Sequence, residues 1–218
     1  LMLSIVIFSF NRALQLDYLV RSIISRFREV DYKIVIIYHT TGEHSEGYYR
    51  IKEKYQQNRQ IRFLERIRQP INLFSYLKTF YCVANVKRYL VYSYLRNKNA
   101  DNFKSLLERL LQSTDSEFVM FCTDDGVFFD DVYLDDDVLN LIRINPLQTS
   151  YRLYVGENLN EFPQYIKRRI GQSYIWNYYE TGETQLTHWT YPFAVDGTIY
   201  HTKSILSIIK KIPYHNPV

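Results

Sequence analysis

Apolar residues in the first part of the chain are grouped in a way that predicts alternating strands and helices. Short β-rich apolar runs at 3–9 and 32–38 are typical of strands that are covered on both faces. Between them, apolar residues from Leu16 to Phe27 recur at helical spacing. A polar helix over 45–57 and a third strand over 61–66 follow. This order predicts a parallel sheet with right-handed crossovers.

The rest of the chain continues this alternation and then becomes more mixed. Residues 72–112 are predicted to be mostly helical with a polar break at 97–102, and residues 117–122 form another buried strand. Asp135, Asp136 and Asp137 are expected to open a helix to about Ile144, where they act as cap and first-turn charges. Further strands and a last helix are predicted at 153–155, 173–178, 197–201 and 203–211.

The predicted fold class is therefore α/β, with a Rossmann-like, mostly parallel sheet flanked by helices and a small mixed C-terminal extension. A chain of 218 residues is long enough for one well-buried core and short for two independent domains. No linker rich in Pro, Gly or Ser and no internal repeat divides it. We expect a single domain with two halves, 1–130 and 131–218.

Composition changes this picture in two respects. The 21 tyrosines and 13 phenylalanines suit a groove that stacks on ring-shaped ligands, although an A/T-rich genome accounts for the same counts equally well. The net charge of +4 is compatible with phosphate-bearing ligands or an anionic membrane surface. The basic residues are scattered, which argues against a nucleic-acid partner.

The sequence also bears on the compartment. It opens with no signal peptide, and no apolar run reaches the roughly 18 residues that a membrane span needs. Cys82 and Cys122 lie in apolar stretches, which favours buried free thiols and a reducing compartment. We expect a cytoplasmic protein whose basic excess allows peripheral contact with the inner face of a membrane.

Polar clusters follow three of the predicted strands, at the point where each strand ends. In open α/β sheets, ligands bind outside the carboxyl ends of the strands, so these clusters are expected to form one binding edge. They are Ser9-Phe10-Asn11-Arg12, His39-Thr40-Thr41 and Thr123-Asp124-Asp125.

The adjacent carboxylates Asp124 and Asp125 are the most specific feature of this edge. Two carboxylates after a buried strand repel each other, and a divalent cation relieves that repulsion. Magnesium or manganese is typically held by one or two carboxylates together with substrate phosphates. Asp-Asp-Gly is also common turn chemistry, but its place at a strand end favours a metal site.

Two of these motifs resemble family-2-type glycosyltransferases of the GT-A fold, over about the first two thirds of the chain. Ser4 to Arg12 looks like their opening strand, which often ends in Thr-Tyr-Asn-Arg, and Phe121 to Phe128 looks like their Asp-any-Asp motif. The resemblance implies a metal-dependent, inverting glycosyltransferase. It implies a UDP- or GDP-linked sugar as donor and a glycan or related molecule as acceptor, with residues 1–130 binding the donor and 131–218 the acceptor.

The resemblance also implies roles for particular residues. Asp125 matches the metal-binding aspartate, and Asp124 matches the carboxylate that assists the metal or the ribose. The expected donor-binding set is Ser9, Phe10, Asn11, Arg12, His39, Thr40, Thr123 and Asp124. Two positions depart from the family pattern, because Thr123 replaces an aspartate and His39-Thr40-Thr41 replaces the usual Asp-Asp-Gly-Ser.

An inverting transferase also needs a base for the acceptor hydroxyl, and Asp196 is the candidate. Trp189 and Tyr191 are the candidates for stacking on an acceptor sugar, and His201 is preferred over His188 as a late metal ligand. A hairpin turn at Asp196-Gly197 beside core aromatics accounts for the same segment equally well.

Two other functions stay open. A sugar nucleotidyltransferase shares a similar half-fold and metal chemistry, but its glycine-rich loop is missing from Ser9 to Leu14. A non-catalytic carbohydrate- or nucleic-acid-binding module, or an inactive transferase, is the second alternative, although a pure binding module has no need of Asp124 and Asp125.

Overall fold

The computed structural model describes residues 2–70, 99–157, 163, 166, 168–177, 189–191, 193–212 and 214. Its strands are β1 Met2–Phe10, β2 Asp31–His39, β3 Ile61–Glu65, β4 Arg68–Pro70, β5 Asn99–Asp101, β6 Phe118–Thr123, β7 Tyr151–Arg152, β8 Arg168–Ile170, β9 Ser173–Ile175 and β10 Thr198–His201. Its α-helices are α1 Ala13–Arg26, α2 Ser45–Tyr55, α3 Phe103–Ser113, α4 Asp136–Ile144 and α5 Thr202–Ile209, and a 3-10 helix covers Gly42–His44.

The main sheet has six strands in the order β3-β2-β1-β6-β10-β7, which confirms the predicted fold class. Strands β3, β2, β1 and β6 are parallel, whereas β10 runs antiparallel to β6 and to β7. From β1 the chain passes to β2 and β3 on one side and then returns to β6 on the other. This reversal places a topological switch point at the carboxyl ends of β1 and β6.

Helices cover both faces of the sheet, and this explains why its central strands are apolar throughout. Residues of β1 alternate between the two faces, since Ile5 and Ile7 pack with α1, α2 and α4 while Val6 and Phe8 pack with α3 and α5. Each fully buried aliphatic side chain of this kind contributes about 1.5–3 kcal/mol to the free energy of unfolding. The sheet is therefore a rigid base for the residues at its edge.

The N-terminal elements and the last strand and helix agree with the predicted ones to within a few residues. The prediction of a cap at Asp135 is confirmed, because its carboxylate accepts a hydrogen bond from the Asp137 N–H at 2.9 Å. Cys122 is confirmed as a buried free thiol, and burial raises its pKa to about 12. Cys82 and His188 lie outside the described residues.

Three predicted segments differ from the structure. The prediction of a strand at 153–155 is wrong, because the residues that pair with β10 are Tyr151–Arg152. The pairing ends where Leu153 N–H donates a hydrogen bond to Gly197 O. The strand expected at 173–178 ends at Ile175 and pairs with β8 in a hairpin that was not predicted. Of the region predicted to be helical, residues 71–98 lie outside the described residues. The polar break predicted at 97–102 contains strand β5, which pairs with β4.

No helix within the described ranges is long and apolar enough to cross a membrane.

Candidate functional site

The three polar clusters that follow β1, β2 and β6 lie together at one edge of the sheet. Ser9 Oγ donates a hydrogen bond to Asp124 Oδ2 at 2.8 Å and so connects β1 to β6. Asn11 connects β1 to β2, because its amide nitrogen donates to Thr41 Oγ1 at 2.8 Å and its oxygen accepts from Thr41 N–H at 2.9 Å. Asn11 adopts a left-handed backbone with φ of 55°, which asparagine tolerates better than most residues.

Asp124 is the buried carboxylate of this edge, with only 4% of its surface exposed. It accepts hydrogen bonds from Ser9 Oγ, from Phe10 N–H at 3.1 Å and from Arg12 Nη1 at 3.5 Å. Burial raises the pKa of Asp124, and the hydrogen bonds from Ser9 and Phe10 together with the positive charge of Arg12 oppose that shift only in part. Asp124 is therefore held in one orientation from three sides.

Asp125 is the exposed carboxylate, with 57% of its side chain accessible. Arg12 Nη1 lies 2.9 Å from Asp125 Oδ2, so a single guanidinium contacts both aspartates. The Thr123 hydroxyl and the Arg12 guanidinium lower the pKa of Asp125, which keeps it ionised at neutral pH. Asp125 is thus the member of the pair that can reach a ligand.

Behind the edge, Tyr48 holds Ser9 and Arg12 in place. The Tyr48 hydroxyl lies 2.6 Å from Ser9 Oγ and accepts a hydrogen bond from Arg12 N–H at 3.1 Å. Since Ser9 donates to Asp124, Tyr48 must donate to Ser9, and the three groups form a directed chain. The preceding residue, Gly47, permits this approach of α2 to α1, because a Cβ there would lie 2.7 Å from Ala13 Cβ.

At the β2 side of the edge, an aromatic pair connects the last residues of β1 and β2. The Phe10 and His39 rings stack with centroids 5.5 Å apart and an interplanar angle of 6°. A ring nitrogen of His39, Nδ1, lies 3.0 Å from Arg66 O, which helps to orient the imidazole. Thr40 directly follows His39, and its buried hydroxyl finds no hydrogen-bond partner among the described residues.

A cavity of about 320 Å³ opens at this edge, and Arg12, Arg66, Asp124 and Asp125 all line it. Arg66 is only 9% exposed, and its guanidinium lies over the Phe103 ring at 5.2 Å from the centroid. Arg66 was not among the site residues predicted from the sequence. Its position directly after β3 was an available signal, because that strand is parallel to β2 and its carboxyl end lies at the same edge.

Asp196 joins this edge from the C-terminal half of the chain. Thr123 Oγ1 donates a hydrogen bond to Asp196 Oδ1 at 2.6 Å. Gly197 follows with φ of +58° and donates its N–H to Phe121 O at 2.8 Å, so the backbone next to Asp196 is attached to β6.

The two candidates for acceptor stacking have different environments. Tyr191 is 48% exposed, and its carbonyl accepts a hydrogen bond from Arg152 Nη2. Trp189 is buried, and its ring packs edge-to-face against Trp176 at a centroid distance of 5.3 Å. The Trp189 ring is thus part of the protein interior in this structure, whereas the Tyr191 ring is accessible.

The structure does not bring His201 to the aspartates. His201 pairs with Phe118, the first residue of β6, whereas Asp124 and Asp125 follow the last residue of that strand. The reason is that β10 runs antiparallel to β6, so its end lies at the opposite edge of the sheet, where His201 Nδ1 contacts Ser204 Oγ at 2.8 Å. Within the described ranges, no group of three or more His, Cys, Asp or Glu side chains is placed to hold a metal ion.

No protein-family model matches the chain, and no curated protein matches it in sequence. Among solved structures, the chain is similar to S. aureus TarS, a glycosyltransferase, with a TM-score of 0.49 and 14% identity over 93% of this chain and 28% of that one. It is also similar to S. aureus TarS 1-349, with a TM-score of 0.44 and 15% identity over 93% of this chain and 47% of that one. The chain spans less than half the length of both, and the likeness concerns the fold alone.

Proposed function

We propose that the chain is a nucleotide-sugar-dependent glycosyltransferase of the GT-A type that transfers a sugar, with inversion, to a glycan or related acceptor. The observation that carries the proposal is the set of charges around the cavity at the switch point. There the exposed Asp125, the buried Asp124 and the arginines Arg12 and Arg66 face one space of about 320 Å³. Paired carboxylates beside guanidinium groups suit a metal ion that travels with a diphosphate.

The residues fit a divalent cation by the chemistry of their donor atoms. Asp125 offers an accessible, ionised carboxylate, and Asp124 lies next to it, so both ligands are hard oxygen donors of the kind that magnesium and manganese prefer. The described residues supply no third carboxylate or imidazole at this point, so the diphosphate oxygens of a donor would complete the coordination. When bound, the ion supplies positive charge where the leaving diphosphate becomes more negative.

The chain's own side chains account for binding the donor and moving the proton. Arg12 and Arg66 place positive charge in the cavity, where it stabilises the departing diphosphate. Asp196 takes the proton of an acceptor hydroxyl, and the oxygen of that hydroxyl bonds to the anomeric carbon of the donor sugar. At the same time, the bond between the anomeric carbon and the diphosphate oxygen breaks. Thr123 holds the Asp196 carboxylate by its 2.6 Å hydrogen bond.

The proposal is tested by calorimetric binding of UDP and GDP, with and without manganese, to the wild type and to Asp125→Ala. We expect one nucleotide to bind in a manganese-dependent way and the binding to be lost in Asp125→Ala. The matched control is Asp31→Ala, since Asp31 is an exposed aspartate at the opposite edge of the sheet, at the first residue of β2. It should bind as the wild type does.

Failure of both nucleotides to bind at millimolar concentration would overturn the proposal. Manganese-dependent binding without sugar transfer or donor hydrolysis would favour the alternative of an inactive binding module. Equal loss of binding in Asp125→Ala and Asp31→Ala would show that the change acts through the fold and not through the site.

A further inference from the structure

A second and larger cavity, of about 730 Å³, lies beside the first. Thr123 lines both cavities, and Asp196 lines the larger one. The hydrogen bond between Thr123 and Asp196 therefore stands at the wall where the two spaces meet. Small-molecule sites typically enclose about 300–1,000 Å³, so the larger cavity has room for a ligand of its own.

The wall formed by residues 126–135 is attached to α1 and is preformed in the structure. Phe128 N–H donates to Ser22 Oγ at 3.1 Å, and Val132 N–H donates to Arg26 O at 2.8 Å. Asp131 is paired with two arginines from the end of α1 and the following turn, Arg26 and Arg28, at 3.3 and 3.2 Å. A ligand would enter this space without having to order the segment first.

The surface of the larger cavity combines rings with hydroxyl and amide groups. The Phe129 side chain, which is 72% exposed, and Tyr133 offer aromatic faces at its rim. Tyr151 and Ser173, which hydrogen-bond to each other at 3.0 Å, and Gln172 offer polar groups. Aromatic faces next to neutral hydrogen-bonding groups match the apolar faces and hydroxyl edges of a sugar ring.

The two cavities differ in charge, because two arginines and two aspartates line the smaller one. Among the described residues that line the larger cavity, four are aspartates and none is a lysine or arginine. Asp131 is neutralised by its two arginines, and Asp135 caps α4, whereas Asp130 and Asp196 leave negative charge at the surface. An anionic ligand would be repelled there, while the smaller cavity contains Arg12 and Arg66.

We propose that the larger cavity is the acceptor site and that it takes an uncharged or amine-bearing glycan in preference to a phosphorylated or carboxylated one. The proposal rests on the transferase function proposed above, because it assigns the second substrate of the same reaction. It places the acceptor hydroxyl at the wall formed by Thr123 and Asp196. There Asp196 contacts the hydroxyl from the larger cavity, and the donor sugar approaches it from the smaller one.

The test compares four ligands of equal ring size that differ in charge: methyl β-glucoside, glucosamine, glucuronic acid and glucose 6-phosphate. Their binding to the wild type, saturated with the nucleotide and magnesium, is measured by saturation-transfer NMR. We expect methyl β-glucoside and glucosamine to bind at least about tenfold more tightly than the two anions. Phe129→Ala should weaken the binding of methyl β-glucoside, and Asp130→Lys should strengthen that of glucose 6-phosphate.

Nucleotide binding by the same variants separates failure of this proposal from failure of the proposed function. If Phe129→Ala and Asp130→Lys bind the nucleotide normally but leave sugar binding unchanged, the cavity is not the acceptor site. If the anions bind as tightly as methyl β-glucoside, or if none of the four binds at millimolar concentration, the assigned acceptor class is wrong. If the wild type binds no nucleotide, the proposed transferase function itself is contradicted.

Discussion

The two cavities meet at Thr123 but are built in different ways. The smaller one is formed by residues at the ends of β1, β3 and β6, and a buried chain from Tyr48 through Ser9 to Asp124 holds its carboxylate. The larger one is formed mainly by loops, which are attached to α1 and to short strands at a few points. Rigid strand ends suit a site that must position charge within a few tenths of an ångström, and loops suit a site that selects among partners.

The largest effect is expected at Asp196, and it distinguishes the functions of the two cavities. Asp196→Asn removes the proposed proton acceptor but keeps an oxygen for the Thr123 hydroxyl, so the rate of sugar transfer should fall about 10²- to 10⁴-fold. Nucleotide binding should stay unchanged, because Asp196 does not line the smaller cavity. Steady-state kinetics and calorimetry on the same preparation check both statements. A variant that transfers sugar at the wild-type rate would exclude Asp196 as the base.

The next effect concerns the rigidity of the strand-end region. Tyr48→Phe removes the donor of a buried hydrogen bond to Ser9 and the acceptor of a partly buried one from Arg12 N–H. It should lower the free energy of unfolding by about 1–3 kcal/mol. Urea denaturation measures this change. Tyr49→Phe is the matched control, because that hydroxyl is exposed and contacts only Glu53 among the described hydrogen bonds. Similar losses in the two variants would contradict the role given to Tyr48.

A smaller effect is expected at the shared wall. Thr123→Val removes the hydrogen bond to Asp196 with little change of shape and should reduce the rate of sugar transfer about tenfold, the equivalent of one hydrogen bond. Thr123→Ser restores a hydroxyl at the same place and should recover most of the rate. Equal rates for the valine and serine variants would show that the Thr123 hydroxyl does not position Asp196.

The smallest effect lies in the ion pair that joins α1 to α2 beneath the site. Burial raises the pKa of Asp17, but the hydrogen bonds from Lys54 at 2.7 Å and Tyr55 at 2.8 Å outweigh it, and the net shift is downward. A lowered pKa means that the contribution to stability is complete above the unfolded pKa of about 3.9 and is lost as the pH falls through the folded value. The contribution of this ion pair to the free energy of unfolding is below about 1 kcal/mol, because Lys54 is half exposed.

Asp17→Asn tests this contribution. The difference in free energy of unfolding between the wild type and the variant should be constant near pH 6 and should shrink below about pH 4. Urea denaturation at a series of pH values measures it. A difference that grows as the pH falls would contradict the direction of the Asp17 pKa shift.

Much of the strand-end region could be predicted from the sequence. The apolar runs of β1, β2 and β6 locate three strands whatever their order in the sheet. Parallel strands place their carboxyl ends at one edge, so Ser9, Asn11 and Asp124 were expected near one another before any contact was known. The cap at Asp135 was predictable for a similar reason, since it depends on neighbours within two residues.

Only the tertiary structure decided which distant residues complete the site. Asp196 reaches Thr123 across 73 residues because β10 inserts beside β6 in the antiparallel direction, and the same direction carries His201 to the opposite edge. Packing between separate elements also decides three other features of the site. It buries Trp189, brings the Tyr48 hydroxyl to Ser9 and places Arg66 in the lining of the smaller cavity. Periodicity along a chain reports which residues are covered, but strand order and direction are set by the packing of the whole core.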